Sequence, residues 1–175
     1  MTTKYYVDAN GAYLGGFVSL TRGDEVFQPA VPEGAIEVEA PPADGRMVWT
    51  GSAWTRPKFM LAEYAAGKRR ALVNGAATIN VGERSIPTWL DPESRGAVTG
   101  LVVASTLVEG LTAPWKGADG DFYTLTTAEI TALALGMMGF VQAAFATEAA
   151  VIAAIDAETI TTAAAVDAAA WPAGL

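Results

Sequence analysis

The chain has 175 residues, 51% of them hydrophobic, and a formal net charge of -8. It contains no cysteine and no histidine, which excludes a disulfide framework, a thiol nucleophile, a zinc site of the usual ligands, a Ser-His-Asp triad and a histidine general base. The acidic balance argues against nucleic acid as a partner, because that binding rests on neutralising phosphates with Lys and Arg.

The opening Met1-Thr2-Thr3-Lys4-Tyr5-Tyr6 has no apolar signal core, so Sec export is not expected. Short apolar runs broken by turn residues then predict β-hairpins to about Thr55. Asn10-Gly11 is the strongest two-residue turn signal, and it would set Val7 opposite Leu14 and Asp8 opposite Tyr13. Pro-rich loops follow, around one short strand, Ile36-Glu37-Val38. A second hairpin turns at Gly51-Ser52, which pairs Thr50 with Ala53 and puts Trp49 directly opposite Trp54 where side chains approach closest. Two facing indoles staple a hairpin, and they also offer a platform on which a sugar ring stacks. The staple is preferred because a domain this small has little other core.

Arg56-Pro57 opens a helix that stops at Asn74-Gly75, with Leu61, Tyr64, Ala65 and Leu72 as its apolar face and the stem of Lys68 between them. The cluster Arg56, Lys58, Lys68, Arg69 and Arg70 reads as a solvated face, part of it suited to the helix C-terminal dipole. A hairpin turning at Gly82-Glu83 pairs Ile79 with Ile86, and Asp91-Pro92-Glu93 caps the next helix, which ends before Gly110. Asp119-Gly120 turns the last hairpin, an arrangement expected to bring Trp115 and Phe122 onto one face. Thr126 and Glu129 make a capping box for the last long helix.

In that helix Ile130, Ala134, Met137, Val141, Ala144, Glu148, Val151 and Ile155 follow steps of four and three, widened by Leu133 and Phe140. A second helix, roughly Thr159 to Ala170, would fold back on it. Ile130 to Thr147 carries no charge and nearly spans a bilayer in length. Gln142, the alanines and the lack of any Lys or Arg after Lys116 argue against a membrane span. The stripe Leu133, Met137, Phe140, Val141, Ala144, Val151 and Ile155 is therefore expected to contact other subunits, with packing inside one chain as the competing reading.

The fold class is α+β: N-terminal β-hairpins, then two hairpin-helix units ending in a long helix and a helical hairpin. The expected division is a small β-rich domain at 1–56, a connector helix at 57–75 and an α+β domain at 76–175 with Ala-rich C-terminal helices. Asp119-Gly120-Asp121 lacks the ligand run of a calcium loop and reads as a turn. The spacing does not select Asp119 and Glu129 as glycosidase carboxylates. No phosphate loop or nucleophile elbow is present, so no catalytic residue, metal or cofactor is expected.

From about Phe59 to Trp171 the sequence resembles a domain of unknown function found in tail, tail-fibre and tail-assembly proteins of tailed bacteriophages. The residues that carry the resemblance are Lys68-Arg69-Arg70 before a short glycine-turn hairpin and Asp91-Pro92-Glu93-Ser94-Arg95 at a helix start. Next come the run from Trp115 to Glu129 and Val141-Gln142-Ala143-Ala144-Phe145 inside a long helix. The leader, with Trp49, Gly51 and Trp54, is similar to short β-rich leaders of such proteins. The resemblance implies a non-enzymatic component of the virion tail (tail tip, baseplate or fibre attachment), made in the host bacterial cytoplasm. It also implies other tail proteins as partners and a homo-oligomer, trimeric or hexamer-related. A tail-fibre assembly chaperone is the alternative, and a membrane-active lysis protein is a third reading.

Overall fold

The computed structural model describes residues 2–175, and its chain contacts divide it into two compact units between Leu61 and Ala62. The protein is α+β.

In the first unit β1 (Thr2–Val7), β2 (Tyr13–Arg22), β3 (Glu25–Phe27) and β4 (Ile36–Val38) form one antiparallel sheet in the order β3-β2-β1-β4. The first hairpin departs from the expected register: Val7 faces Tyr13, and a bulge lies between Tyr6 and Val7. The cause is Asp8. Its Oδ1 accepts from the N–H groups of Asn10 and Ala12, at 2.8 Å each, and this widens the loop beyond the two-residue turn that Asn10-Gly11 suggests. The short hairpin of β5 (Val48–Trp49) and β6 (Trp54–Thr55) has the expected register, with Trp49 opposite Trp54 and the Thr50 N–H donating to the Ala53 carbonyl. The Trp49 N–H points away from β6 and donates to the Gly11 carbonyl at 2.9 Å, which fixes the Trp pair as non-hydrogen-bonded.

Helix α1 (Lys58–Asn74) contains the boundary between the units. Ala65 and Val73 are buried along it, whereas Tyr64, expected on the apolar face, is exposed and uses its hydroxyl instead. In the second unit β7 (Ala76–Val81) and β8 (Arg84–Trp89) pair with Ile79 opposite Ile86 around Gly82-Glu83, where Gly82 takes the left-handed backbone (φ 62°) that the turn needs. Asp91 caps α2 (Pro92–Leu107) with Pro92 at its start, and Thr126 and Glu129 form both bonds of the capping box on α3 (Thr127–Asp156).

Between these helices lie β9 (Thr112–Lys116) and β10 (Phe122–Thr126). Here Trp115 and Phe122 do not share a face: Trp115 is buried opposite Tyr123, and Phe122 lies opposite Lys116 and is exposed. The loop spans residues 117–121 because the Gly117 N–H bonds the Asp121 carbonyl and Asp119 Oδ1 accepts from the Asp121 N–H. The Trp115 Nε1–H is buried with no hydrogen-bond partner among the described residues, a state that disfavours the fold by about 1–3 kcal/mol.

One core joins both hairpins, α2 and the first half of α3: Ile79, Val81, Ile86, Leu90, Val98, Trp115, Leu125, Ile130, Leu133 and Met137 are all buried in it. α3 reaches β7 closely at Gly136, where an added Cβ would fall inside contact distance of Ile79 Cγ2. Gly136→Ala is therefore expected to destabilise the second unit by about 1–2 kcal/mol, overpacking outweighing the gain in helix propensity. In an Ile79→Ala background the same change should become neutral or stabilising. Chemical denaturation of the four proteins measures that coupling, and purely additive effects would refute the close approach.

The helical hairpin is shorter than expected. α3 ends in a turn where Glu158 takes φ 60° and the Thr159 hydroxyl donates to the Ala154 carbonyl. α4 covers Ala163–Asp167 only, capped by Thr162, and Val166 is buried. The β-branched run from Thr159 to Thr162 favours extended chain over a continuous return helix.

Candidate functional site

Of the stripe expected to meet other subunits, Leu133, Met137, Ala144, Val151 and Ile155 are buried by the chain itself, and Phe140 and Val141 are partly buried. This corrects the interface expectation. The hairpins and α2 cover the first half of the row, so these side chains serve the core. The charged residues of α1 meet the second half of α3 and the segment after it. Arg69 Nε donates to Glu148 Oε2 at 3.0 Å, with side chains only 19% and 13% exposed, and its guanidinium lies 4.5 Å from the Phe145 ring centre. Lys68 Nζ reaches Asp167 Oδ1 at 2.6 Å, and the Tyr64 hydroxyl donates to Asp167 Oδ2 at 2.9 Å. The basic cluster thus includes two cations that hold α3 and α4 against α1, a role the sequence did not reveal because the partners lie far along the chain.

The opposite side of α3 is open except at Phe145, whose ring carries the Arg69 guanidinium. Leu135, Met138, Phe145 and Ile152 are exposed there, and Gln142 and Ala149 continue the same row. By length and composition alone α3 qualifies as a membrane-crossing helix, and 22% of its most apolar window is buried.

In the first unit the indoles of Trp49 and Trp54 lie 5.4 Å apart at 59°, Tyr13 meets Trp54 edge-on at 5.8 Å, and the Trp54 Nε1–H donates to the Ala40 carbonyl at 3.0 Å. Both indoles are half-buried. A shallow cavity of about 470 Å³ beside them is lined by Asp8, Asn10, Gly11, Glu37, Trp49 and Thr50 among others. The geometry is that of a stapled cluster in which Trp54 is tied by a hydrogen bond, with Trp49 at the cavity wall.

The carboxylates weighed as chemistry are held by local bonds. Asp119 accepts from the Tyr123 hydroxyl at 2.6 Å and from the Asp121 N–H, and Glu129 accepts from the Thr126 N–H and hydroxyl and from Arg84. No group of three or more metal-ligating side chains is gathered among the described residues.

A sequence family described as a domain of unknown function, DUF4376, matches residues 55–170. The chain belongs to this family. No curated protein and no solved structure matches it. The DUF4376 region takes in α1, both hairpins of the second unit, α2, α3 and α4, while β1 to β5 precede it.

Within the DUF4376 region the fold holds four carboxylates below their ordinary values. Asp91 is lowered first by the Ser94 N–H and hydroxyl, Asp119 by the Tyr123 hydroxyl, Glu129 by the Thr126 N–H and hydroxyl, and Asp167 by Lys68 and Tyr64. Since each native pKa lies below its unfolded value, the stabilisation is present above the ordinary carboxylate range and is lost as pH falls through the native values. With no histidine in the chain, the urea midpoint of the second unit should be flat from about pH 8 to about pH 5 and fall below about pH 4. Asp167→Asn should lessen that fall. A midpoint unchanged at about pH 3 would contradict the argument.

Proposed function

We propose that the chain is a non-enzymatic structural component of a tailed-bacteriophage tail, acting in multiple copies through protein–protein contacts. The observation that carries this reading is the largely open apolar row on α3. Solvent-exposed leucine, methionine, phenylalanine and isoleucine on one face of a rigid helix mark a contact surface. The carboxylates that catalysis would call on are meanwhile tied into caps, turns and ion pairs. The tail-protein resemblance of the motifs between Phe59 and Trp171 supplies the setting, and tails are built from repeated copies.

Mass spectrometry of purified virions of the phage that encodes the chain tests the proposal. A tail subunit is expected at stoichiometric copy number. Absence from the particle, with capture on an immature fibre, would replace it with the assembly-chaperone reading. The membrane-active reading draws on the length of α3 alone, and recovery of the protein only from the membrane fraction would favour it.

A further inference from the structure

Trp49 and Trp54 face each other across one hairpin, but they are held differently. The Trp54 Nε1–H donates to the Ala40 carbonyl at 3.0 Å, and Tyr13 packs edge-on against the Trp54 ring, so that indole is fixed on two sides. Trp49 meets no ring but Trp54, and its Nε1–H has no hydrogen-bond partner among the described residues. It lines the cavity of about 470 Å³ in the first unit, a volume in the range of small-ligand sites. We propose that this cavity binds one neutral hexopyranose ring of a glycan, with the Trp49 indole as its platform and Asp8, Asn10 and Glu37 as partners of its hydroxyls.

The ligand class follows from the capacity left on the lining groups. Asp8 commits Oδ1 to the N–H groups of Asn10 and Ala12 and keeps Oδ2. Glu37 uses Oε2 for Lys4 Nζ at 2.8 Å and the Tyr6 hydroxyl, and keeps Oε1. The Asn10 side-chain amide is bonded to nothing among the described residues. Two carboxylate oxygens that accept and an amide that both donates and accepts match a ring bearing adjacent hydroxyls. The weakly positive C–H face of such a ring settles on the negative face of an indole.

Other ligand classes fit less well. Two carboxylates and no Lys or Arg line the cavity, so an anion is repelled. A quaternary ammonium calls for a cage of several aromatic faces, and Trp49 is the one aromatic side chain in this wall among the described residues. Lys4 already offsets the charge of Glu37.

The walls are also set in place. Val7 pairs with Ile36 and Tyr6 with Glu37 where β1 meets β4. The loop that bears Asp8 and Asn10 is fixed by the two Asp8 bonds and by the Trp49 N–H donating to the Gly11 carbonyl at 2.9 Å. A ligand therefore orders little chain on entry, which lowers the cost of binding. Stapling and sugar stacking are divided between the two indoles: Trp54 is tied down, and Trp49 is braced by it.

The site lies in the first unit, and its test does not depend on the tail reading. The full chain is titrated with the methyl glycosides of glucose, galactose, mannose and N-acetylglucosamine up to about 0.1 M, which fills a millimolar site. At least one is expected to move the Trp49 indole N–H resonance and leave that of Trp115 in place. Asn10→Ala and, separately, Glu37→Ala should weaken binding about tenfold. Both residues are exposed, and an unchanged Trp54 resonance reports that the hairpin and its Ala40 bond are intact. Trp49→Phe keeps a ring against Trp54 but loses the indole, and saturation-transfer NMR on the sugar should show binding weakened about tenfold there too. A Trp49 resonance that no sugar moves would overturn the proposal, as would an affinity unchanged by Trp49→Phe or by both polar variants. A shift with tetramethylammonium and none with sugar would assign the cavity to a cation and overturn it equally.

Discussion

Leu133→Ala should lower the unfolding free energy of the second unit by about 3–4 kcal/mol, near the middle of the range for deleting a fully buried leucine side chain. Leu133 is 0% exposed within the core that joins both hairpins to α2 and α3. In the same core Ile86 and Leu125 sit on β8 and β10, and Met137 lies one turn along α3, so no single rearrangement closes the cavity. The loss should be the same at every protein concentration, because it arises within one chain. Leu135→Ala, two residues on and 62% exposed, should leave the unfolding of the isolated chain within about 0.5 kcal/mol and, in the multi-copy assembly proposed above, weaken only the contact between copies. Denaturation at two concentrations separates these behaviours. A concentration-dependent loss for Leu133→Ala would restore the buried row as the subunit contact.

The second large effect is expected at Gly11. Its φ of 80° is strained for an L side chain, and an added Cβ would collide with the backbone carbonyl of Trp49. That backbone cannot retreat without breaking the Trp49 N–H bond to the Gly11 carbonyl. Gly11→Ala is therefore expected to cost about 3 kcal/mol, combining about 1–2 kcal/mol of backbone strain with the lost bond and the displaced hairpin. A small β-rich unit has little stability in reserve, so this should unfold it or nearly so. Gly51 is the control, since its φ of 95° is just as strained but its Cβ would enter open space. Gly51→Ala should cost only the strain, about 1 kcal/mol. Indole NMR resonances of Trp49 and Trp54 report the first unit, and those of Trp115 should not change. Equal effects at the two glycines would show that the approach of Gly11 to Trp49 is unimportant.

Features decided by neighbouring residues were legible before the fold was known. Asp91-Pro92-Glu93 and the Thr126–Glu129 box set two helix starts because capping is local chemistry. The hairpins at Gly82-Glu83 and Gly51-Ser52 kept their expected registers because two-residue turns leave one pairing available. The registers that slipped were those in which an aspartate side chain competes for the turn: Asp8 and Asp119 each accept backbone N–H groups within their loop. The turn at Gly23-Asp24 between β2 and β3 was not anticipated, although a Gly-Asp pair before Glu25-Val26-Phe27 carries the signal.

The candidate surface was harder to read, for a physical reason. On α3 both the buried and the exposed rows follow heptad-like steps, and periodicity alone does not say which of two apolar sides meets the core. Only the placement of the hairpins, α1 and α2 decides it, and that depends on long-range contacts such as Lys68 with Asp167 and Arg69 with Glu148.

The scarcity of cations that leaves α3 smooth also governs how the protein can be cut. Lys116, at the end of β9, is the last Lys or Arg in the chain, so trypsin releases residues 117–175 as one fragment, folded or not. Survival of that fragment in limited trypsinolysis therefore says nothing about whether α3 is protected, and a tryptic digest of virions would under-report the second unit relative to its copy number. A protease that cuts after glutamate finds Glu129 at the capped start of α3 and Glu148 in the ion pair with Arg69. Cleavage at Glu148 should be slow while α1 holds α3 and fast once Arg69→Ala releases it, which makes that site a direct reporter of the α1–α3 contact.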